Sequence, residues 1–326
     1  MREATTKTQR AQSSRTKANQ YFRVLRVLSV FVVTSLFLAA SSQAAVPTVV
    51  FMSDFGVVDD SVAICKGVMY GVEPDLRIVD LSHQVTPYSI LEGARFLAGA
   101  SPYYPEGTVF IAVIDPGVGS TRKPIVVKTK RSQYFVLPDN GLITLVEHLD
   151  GVSEAREITN PSWMIGAALS STFHGRDVFA PVAAHLAKGE DWTSVGPVLT
   201  PETLVRLDLK SPIFDGRGIT AEVIALDGPF GNAITNIDAD LFRQLGYATG
   251  DPVSLEIGNR KVTLPFVKTF SDVPPQRALI YADSRGHMAL AVNQGNFAKV
   301  YGIKPPARIM IPKKPTAKSA ENARKN

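Results

Sequence analysis

From Thr48 to Ala187, short apolar runs rich in β-branched residues alternate with segments whose apolar residues recur at helical spacing, and near Val205 this alternation stops. Runs such as Thr48–Met52 and Val109–Ile114 have no polar face, so strands made from them must be covered on both sides. Intervening helices supply that cover and predict a sheet sandwiched between helices. The expected order is a strand at Thr48–Met52, then a helix opened by Asp59 or Asp60 that places Val62, Cys65, Val68, Met69 and Val72 on its apolar face before Gly71 and Pro74 stop it. A strand at Arg77–Leu81, a helix at Ile90–Ala100 and strands at Val109–Ile114, Ile125–Thr129 and Tyr134–Leu137 follow. Helices at Leu142–Leu149 and Val178–Ala187 complete the series, the last entered through Thr172–Asp177. From Ile219 the pattern is ITAEVIAL, AITNI, VSLEI, KVTLPF, LIYA and HMALAV, broken by GPFGN, GN and DSRG, with helix signals gone. The predicted architecture is therefore an N-terminal α/β sandwich domain with a central sheet, residues 45–205, and a smaller C-terminal antiparallel β-barrel-like domain, residues 206–312.

The ends of the chain account for its basic character. Residues 1–44 carry seven bases against Glu3, and an uncharged apolar segment of 14 residues, Val27–Ala40, precedes Ser41-Ser42-Gln43-Ala44-Ala45. That segment is too short to span a bilayer comfortably, and the small residues after it resemble a cleavage site. The expectation is a secretory signal peptide, residues 1–44, cleaved near Ala44/Ala45, with export to the periplasm or beyond. An uncleaved anchor is the alternative, and it would be the chain's one membrane attachment. The leader's net +6 exceeds the whole chain's +5, and Lys313–Asn326 adds a further +4, so residues 45–312 carry −5. A body of that charge offers no nucleic-acid surface. Cys65 stands alone, which excludes a disulfide framework and a cysteine metal site. The polar segment 313–326 lacks an apolar face and is expected to be disordered.

Candidate chemistry sits where strands stop. In IAVIDPGVGSTRK the apolar run ends in Asp115, Pro116, Gly117 and Gly119 before Arg122. A tight turn closed by a surface ion pair and a ligand-holding loop both fit. A phosphate loop does not, because the GxxxxGK[ST] spacing is missing and Pro124 begins a strand where a helix is required. Asp54, Asp59, Asp60 and Ser61 gather in SDFGVVDDS, where carboxylates can bind a hard cation, a ribose diol or an ammonium group, and helix capping accounts for one of them. His174, flanked by Gly175 and Arg176 at a helix entrance, can exchange a proton, whereas His83, His148, His185 and His287 read as structural or merely exposed. Asp115, Arg122 and His174 together would make a water-activating site, with guanidinium and imidazole stabilising developing hydroxide.

SDFGVVDDSVA, EGARF, PEGTVFIAVIDPGVGSTR, PDNGL, STFHGRDVFAP, DGPFGNAITNI and DSRG, in that order across residues 48–312, resemble the S-adenosyl-L-methionine (SAM) hydroxide adenosyltransferase family, whose halide-using relatives are fluorinase and chlorinase. The resemblance implies attack of water, as hydroxide, on C5′ of the adenosyl group, giving adenosine and L-methionine with neither metal nor cofactor. It implies a water-handling triad at Asp115, Arg122 and His174. It also implies substrate binding through Asp54 at the ribose hydroxyls, Asp59, Asp227, Ser284 and Arg285 at the methionine end, and Phe230, Asn232 and Phe270 at the adenine, with Ser61 a further substrate-binding residue. Ile234 stands where the halogenases have a bulky aromatic, and the short Lys128–Tyr134 connection lacks their insertion, which favours hydroxide over halide. Family members form trimers whose sites lie between one subunit's first domain and a neighbour's second; a cleft within one chain accounts for the residue set as well. Two other readings stand beside this one. SDFGVVDDS loosely resembles the calcium-binding aspartate loop of nucleoside N-ribohydrolases, with spacing off by one residue. A non-catalytic, exported binding protein for an adenosyl compound would also suit the leader.

Overall fold

A computed structural model describes residues 48–166 and 169–315. The leader and its cleavage site, and the tail beyond Pro315, lie outside the described residues. The unbroken apolar runs become the centre of a seven-stranded sheet: β1 (Thr48–Ser53), β2 (Arg77–Ser82), β3 (Val109–Val113), β4 (Pro124–Thr129), β5 (Tyr134–Pro138), β6 (Val152–Glu157) and β7 (Val198–Leu199). Their order is β2-β1-β3-β5-β4-β6-β7. The first four run parallel, and β4, β6 and β7 are added antiparallel.

Four helices cover this sheet: α1 (Ser61–Val72), α2 (Ile90–Ala100), α3 (Thr144–Asp150) and α4 (Ala180–Lys188). Side chains alternate across the pleat, so Val49 and Phe51 of β1 join Cys65 and Met69 of α1 and Ala183 of α4 in one core. Val50 and Met52 join Leu97 of α2 and Val146 of α3 in another on the opposite face. These strand residues are at most 1% exposed, and full burial of side chains of this size contributes roughly 1.5–3 kcal/mol each. The chain passes from β1 through α1 to β2, then crosses back through α2 to β3 on the other side of β1. That reversal opens a crevice beyond the carboxyl ends of β1 and β3.

The second sheet comprises β8 (Ile213–Asp215), β9 (Gly218–Asp227), β10 (Asn232–Asp238), β11 (Pro252–Ile257), β12 (Arg260–Pro265), β13 (Ala278–Ala282), β14 (His287–Val292) and β15 (Ala307–Pro312). It runs β12-β11-β15-β9-β10-β14-β13 with β8 on β9, and every pairing is antiparallel. Ile219, Ala221, Val223 and Ala225 point inward in strict alternation. Phe266, just past β12, bridges to Ile280 of β13, so the two edges meet and the sheet is nearly closed like a barrel. A mixed α/β fold with a barrel-like second sheet is what the patterning predicts.

Several elements differ from expectation. Two helices of five residues, α5 (Ala239–Arg243) and α6 (Phe297–Tyr301), interrupt a stretch read as helix-free, being too short to show a period. β15, unrecognised in the sequence, lies between β11 and β9 and joins the β11–β12 hairpin to the rest. β6 was likewise missed, because SEARE is charged and pairs at the antiparallel side of its sheet. Of the segment read as a tail, Lys313 and Lys314 are held by backbone hydrogen bonds to Arg217 and Leu245. Among the described residues, no helix is long and apolar enough to cross a membrane.

Candidate active site

Ser53 at the end of β1 lies opposite Val113 at the end of β3. Parallel pairing therefore brings Asp54 and Asp115, the carboxylates just beyond each strand, to the same end of the sheet. Asp54 Oδ2 accepts the backbone N–H of Tyr88 at 2.8 Å. Tyr88 adopts φ 67°, a left-handed conformation disfavoured for an aromatic residue, and its ring is exposed. Sequence reasoning did not single it out, since nothing in TPYSI signals a positive φ.

Beneath this loop runs a hydrogen-bonded relay that is buried at Ser53 and His83 and reaches the surface at Asp80. Ser53 Oγ lies 2.8 Å from His83 Nδ1, His83 Nε2 lies 3.1 Å from Asp80 Oδ1, and Lys66 pairs with Asp80. Asp80 accepts at Nε2, so the ring donates there and Nδ1 accepts the serine proton. The His83 carbonyl also accepts the N–H of Gly56 at 2.7 Å. The order is that of a serine nucleophile triad, but Ser53 is fully buried and cannot meet a substrate. The relay instead fixes the loop that carries Asp54.

Asp115, Arg122 and His174 come together, although His174 is 52 residues from Arg122 in sequence. Arg122 grips Asp115 with two donors, Nε at 2.9 Å from Oδ1 and Nη2 on Oδ2. Their side chains are 9% and 5% exposed. The guanidinium carbon stands 5.1 Å from the centre of the Phe179 ring, a cation–π contact, and Nη1 is buried without a protein partner. Asn140 Nδ2 donates to the Ile114 carbonyl at 2.9 Å, pinning the backbone one residue before Asp115.

Gly119 lets the loop bearing Arg122 approach the one bearing His174. Its φ is +76°, and a Cβ there would stand 2.5 Å from the Ser171 carbonyl oxygen. His174 then precedes a π-helical turn, Gly175–Phe179, that leads into α4. Such turns often occur at functional sites because they re-aim side chains. His174 Nδ1 lies 3.1 Å from Arg122 Nη2. Arginine can only donate, so Nδ1 accepts and the ring proton resides on Nε2, an assignment made from the partner. Burial pushes the imidazole below its usual pKa and the Arg122 charge pushes it further down, opposed by Asp115 and Asp177. His174 is thus neutral at pH 7, with Nε2–H left for the cleft.

The other sequence-derived positions divide between two clefts. Asp54, Asp115 and His174 line one of about 350 Å³ with Phe55, Tyr88 and Phe173. Asp227, Phe230, Asn232, Phe270, Ser284 and Arg285 line a second of about 870 Å³ on the barrel-like sheet, with Ile234 in its wall. The two share no lining residue. Asp59 and Ser61 line neither: Asp59 accepts the Ser61 N–H at 3.0 Å, while Asp60, the residue before α1, makes no side-chain cap. Among the described residues, no group of three or more His, Cys, Asp or Glu side chains is placed to hold a metal ion.

The chain's similarities agree with this arrangement. Residues 49–196 match the family model of the SAM hydroxide adenosyltransferase N-terminal domain, and residues 221–310 that of its C-terminal domain. The chain is 40% identical over 270 residues to an (R)-S-adenosyl-L-methionine hydrolase of Salinispora arenicola, covering 82% of this chain and 99% of that one. It is 34% identical over 293 residues to a fluorinase of an Actinoplanes species, covering 82% and 98%. The crystal structure of an uncharacterized conserved protein from Thermotoga maritima superposes with a TM-score of 0.76 at 38% identity, covering 81% of this chain and 99% of that one. With both family domains matched in order around the two clefts, the chain belongs to the SAM hydroxide adenosyltransferase family of enzymes.

Proposed function

We propose that the protein hydrolyses S-adenosyl-L-methionine to adenosine and L-methionine by attack of water at C5′. The observation that carries this reading is the Asp115–Arg122–His174 constellation, a held cation beside a neutral imidazole at the edge of an open cleft. The water oxygen bonds to C5′ as the C5′–S bond breaks. The electron pair goes to sulfur, the sulfonium becomes a neutral thioether, and one proton is released. Sulfur needs no general acid because it already leaves as a stable neutral group. Arg122 and the Nε2–H of His174 favour the oxygen as it becomes hydroxide-like, and Asp115 keeps the guanidinium fork in place.

In this reading Asp54 holds the ribose hydroxyls, Phe230, Asn232 and Phe270 hold adenine, and Asp59, Ser61, Asp227, Ser284 and Arg285 serve the methionine end. One site built from both clefts requires that they face each other. A neighbouring copy supplies that in a homotrimer, checked by light scattering on the purified protein. The leader would carry this activity out of the cytoplasm, checked by N-terminal sequencing of the exported protein.

The deciding experiment incubates the protein with S-adenosylmethionine and a chelator and separates the products. Adenosine with methionine is the expected result. Adenine would indicate N-ribohydrolase chemistry, and ligand retained unchanged would indicate a binding protein; either refutes hydrolysis at C5′.

A further inference from the structure

One buried carboxylate has no part in the chemistry described so far. Asp177 is fully buried and stands three residues after His174 in the π-helical turn. An ionised carboxylate withdrawn from water is costly unless donors meet its oxygens. Here Oδ2 accepts the Ser170 backbone N–H at 2.6 Å and Arg176 Nη2 at 3.1 Å, while Oδ1 accepts Arg176 Nε at 2.5 Å. Burial pushes the carboxyl up, but the Arg176 and Ser170 donors outweigh it and hold Asp177 below the usual aspartate value. It is therefore ionised at neutral pH.

The segment that these bonds fasten is the one that carries the site. The bond to Ser170, seven residues back, closes a loop that contains Ser171, Phe173 and His174. Gly119 packs on the Ser171 carbonyl, and Phe173 and His174 line the first cleft. Arg176 Cζ lies 5.2 Å from the centre of the Phe173 ring, which meets the Phe55 ring edge-on at 5.8 Å. A stability role alone fits poorly, since apolar side chains of similar volume are often as stabilising as a buried ion pair and could not orient an N–H.

We propose that Asp177 is a positioning residue: by fastening Ser170 and Arg176 from inside, it sets where His174 stands against Arg122 and where Phe173 closes the cleft. This rests on the SAM-hydrolase reading and adds to it a residue that touches neither substrate nor water. His174 meets the nucleophile, so its displacement falls mainly on kcat. Charge matters as well as shape. His174 faces Arg122, Asp115 and Asp177; burial and Arg122 oppose the imidazolium, and the two carboxylates favour it. Asp177 itself faces Arg176, His174 and the Cys65 thiol of α1, which burial pushes up to about 12 and keeps neutral.

The test compares the full chain with Asp177→Asn and with Cys65→Ala, which loosens the core shared by α1 and α4 but keeps every donor to the carboxylate. Adenosine release is followed against pH, well below each thermal midpoint, and the His174 ring is titrated by nitrogen NMR. Asp177→Asn should lower kcat about ten- to a hundredfold with KM changed less, and should move the acid limb of the pH profile to lower pH. Cys65→Ala should lower the thermal midpoint and leave both unmoved. A kcat near wild type in Asp177→Asn, or an acid limb that does not move, overturns the proposal and points to a structural role. If Asp177→Asn does not fold, Ser170→Pro deletes the N–H that the carboxylate takes and keeps the ion pair; it should lower kcat likewise, and unchanged turnover overturns the proposal. A wild-type protein that releases no adenosine refutes the hydrolysis reading separately. The NMR titration then decides the inference: a His174 midpoint lowered by Asp177→Asn supports it, and an unmoved one overturns it.

Discussion

Replacing Asp115 by Asn preserves shape while removing the charge that holds Arg122. The structure shows how much depends on it. The carboxylate takes two of the guanidinium's donors, the pair is 5% and 9% exposed, Phe179 covers one face, and Nη1 has no partner. An asparagine amide turns one acceptor into a donor that opposes Arg122 Nη2, leaving a neutral amide oxygen at Nε and His174 Nδ1 as the side-chain acceptors for the cation. Stripping one partner from a buried pair costs about 3–5 kcal/mol, and the open cleft beside this one favours the lower end, about 3 kcal/mol. For a body of this size that corresponds to a fall of roughly 6–12 °C in the thermal midpoint. Loss of one preorganised stabiliser of the nucleophile lowers kcat by about 10²–10³. Differential scanning calorimetry and adenosine release measure the two effects, and a double-mutant cycle with Arg122→Met isolates the pair. A midpoint within about 2 °C of wild type together with kcat within about tenfold would refute the reasoning.

His174 titrates below the ordinary imidazole value of about 6.5, so activity should hold at neutral pH and fall as the pH drops through a midpoint under that value, when protonation sets an imidazolium against Arg122; a midpoint above 6.5 contradicts the environment described. Gly119→Ala should lower kcat at least tenfold and cost about 1–2 kcal/mol, because the residue combines φ +76° with contact to the Ser171 carbonyl, and calorimetry beside turnover would show both. His83→Phe leaves the proton of the buried Ser53 hydroxyl without its acceptor, at a cost of about 1–3 kcal/mol, and by loosening the Asp54 loop should raise KM more than it lowers kcat. His83→Asn should recover part of that loss in the same steady-state assay.

The legible part of the site was the part that interrupts a pattern. Asp115 ends a run of apolar strand residues, Asp54 ends another, and His174 sits between a β-poor loop and a helix, so each stood out without any knowledge of the fold. Their convergence was not legible, because it depends on β3 crossing to the far side of β1 and on the backbone approach at Gly119. Tyr88 and His83 act through a backbone N–H and a buried ring, and neither leaves a mark in residue type. The same limit explains the short helices and β15, which exist because of what they pack against.

The electrostatics of the first cleft fit a reaction that consumes a positive charge. Arg122 is matched by Asp115, and His174 is neutral, so the half-buried Asp54 leaves the cleft with a net negative charge inside a body that itself carries −5. A sulfonium is attracted to such a place, and the cation of Arg122, being paired, does not repel it. In the proposed hydrolysis, sulfur becomes neutral once the C5′–S bond breaks, and that attraction is gone from both products at this end. In that reading methionine is then held by its zwitterionic end and adenosine by its ring and ribose, through separate walls of the site. Breaking the one bond that joined them turns a divalently held substrate into two singly held products, each of which leaves more readily than the whole.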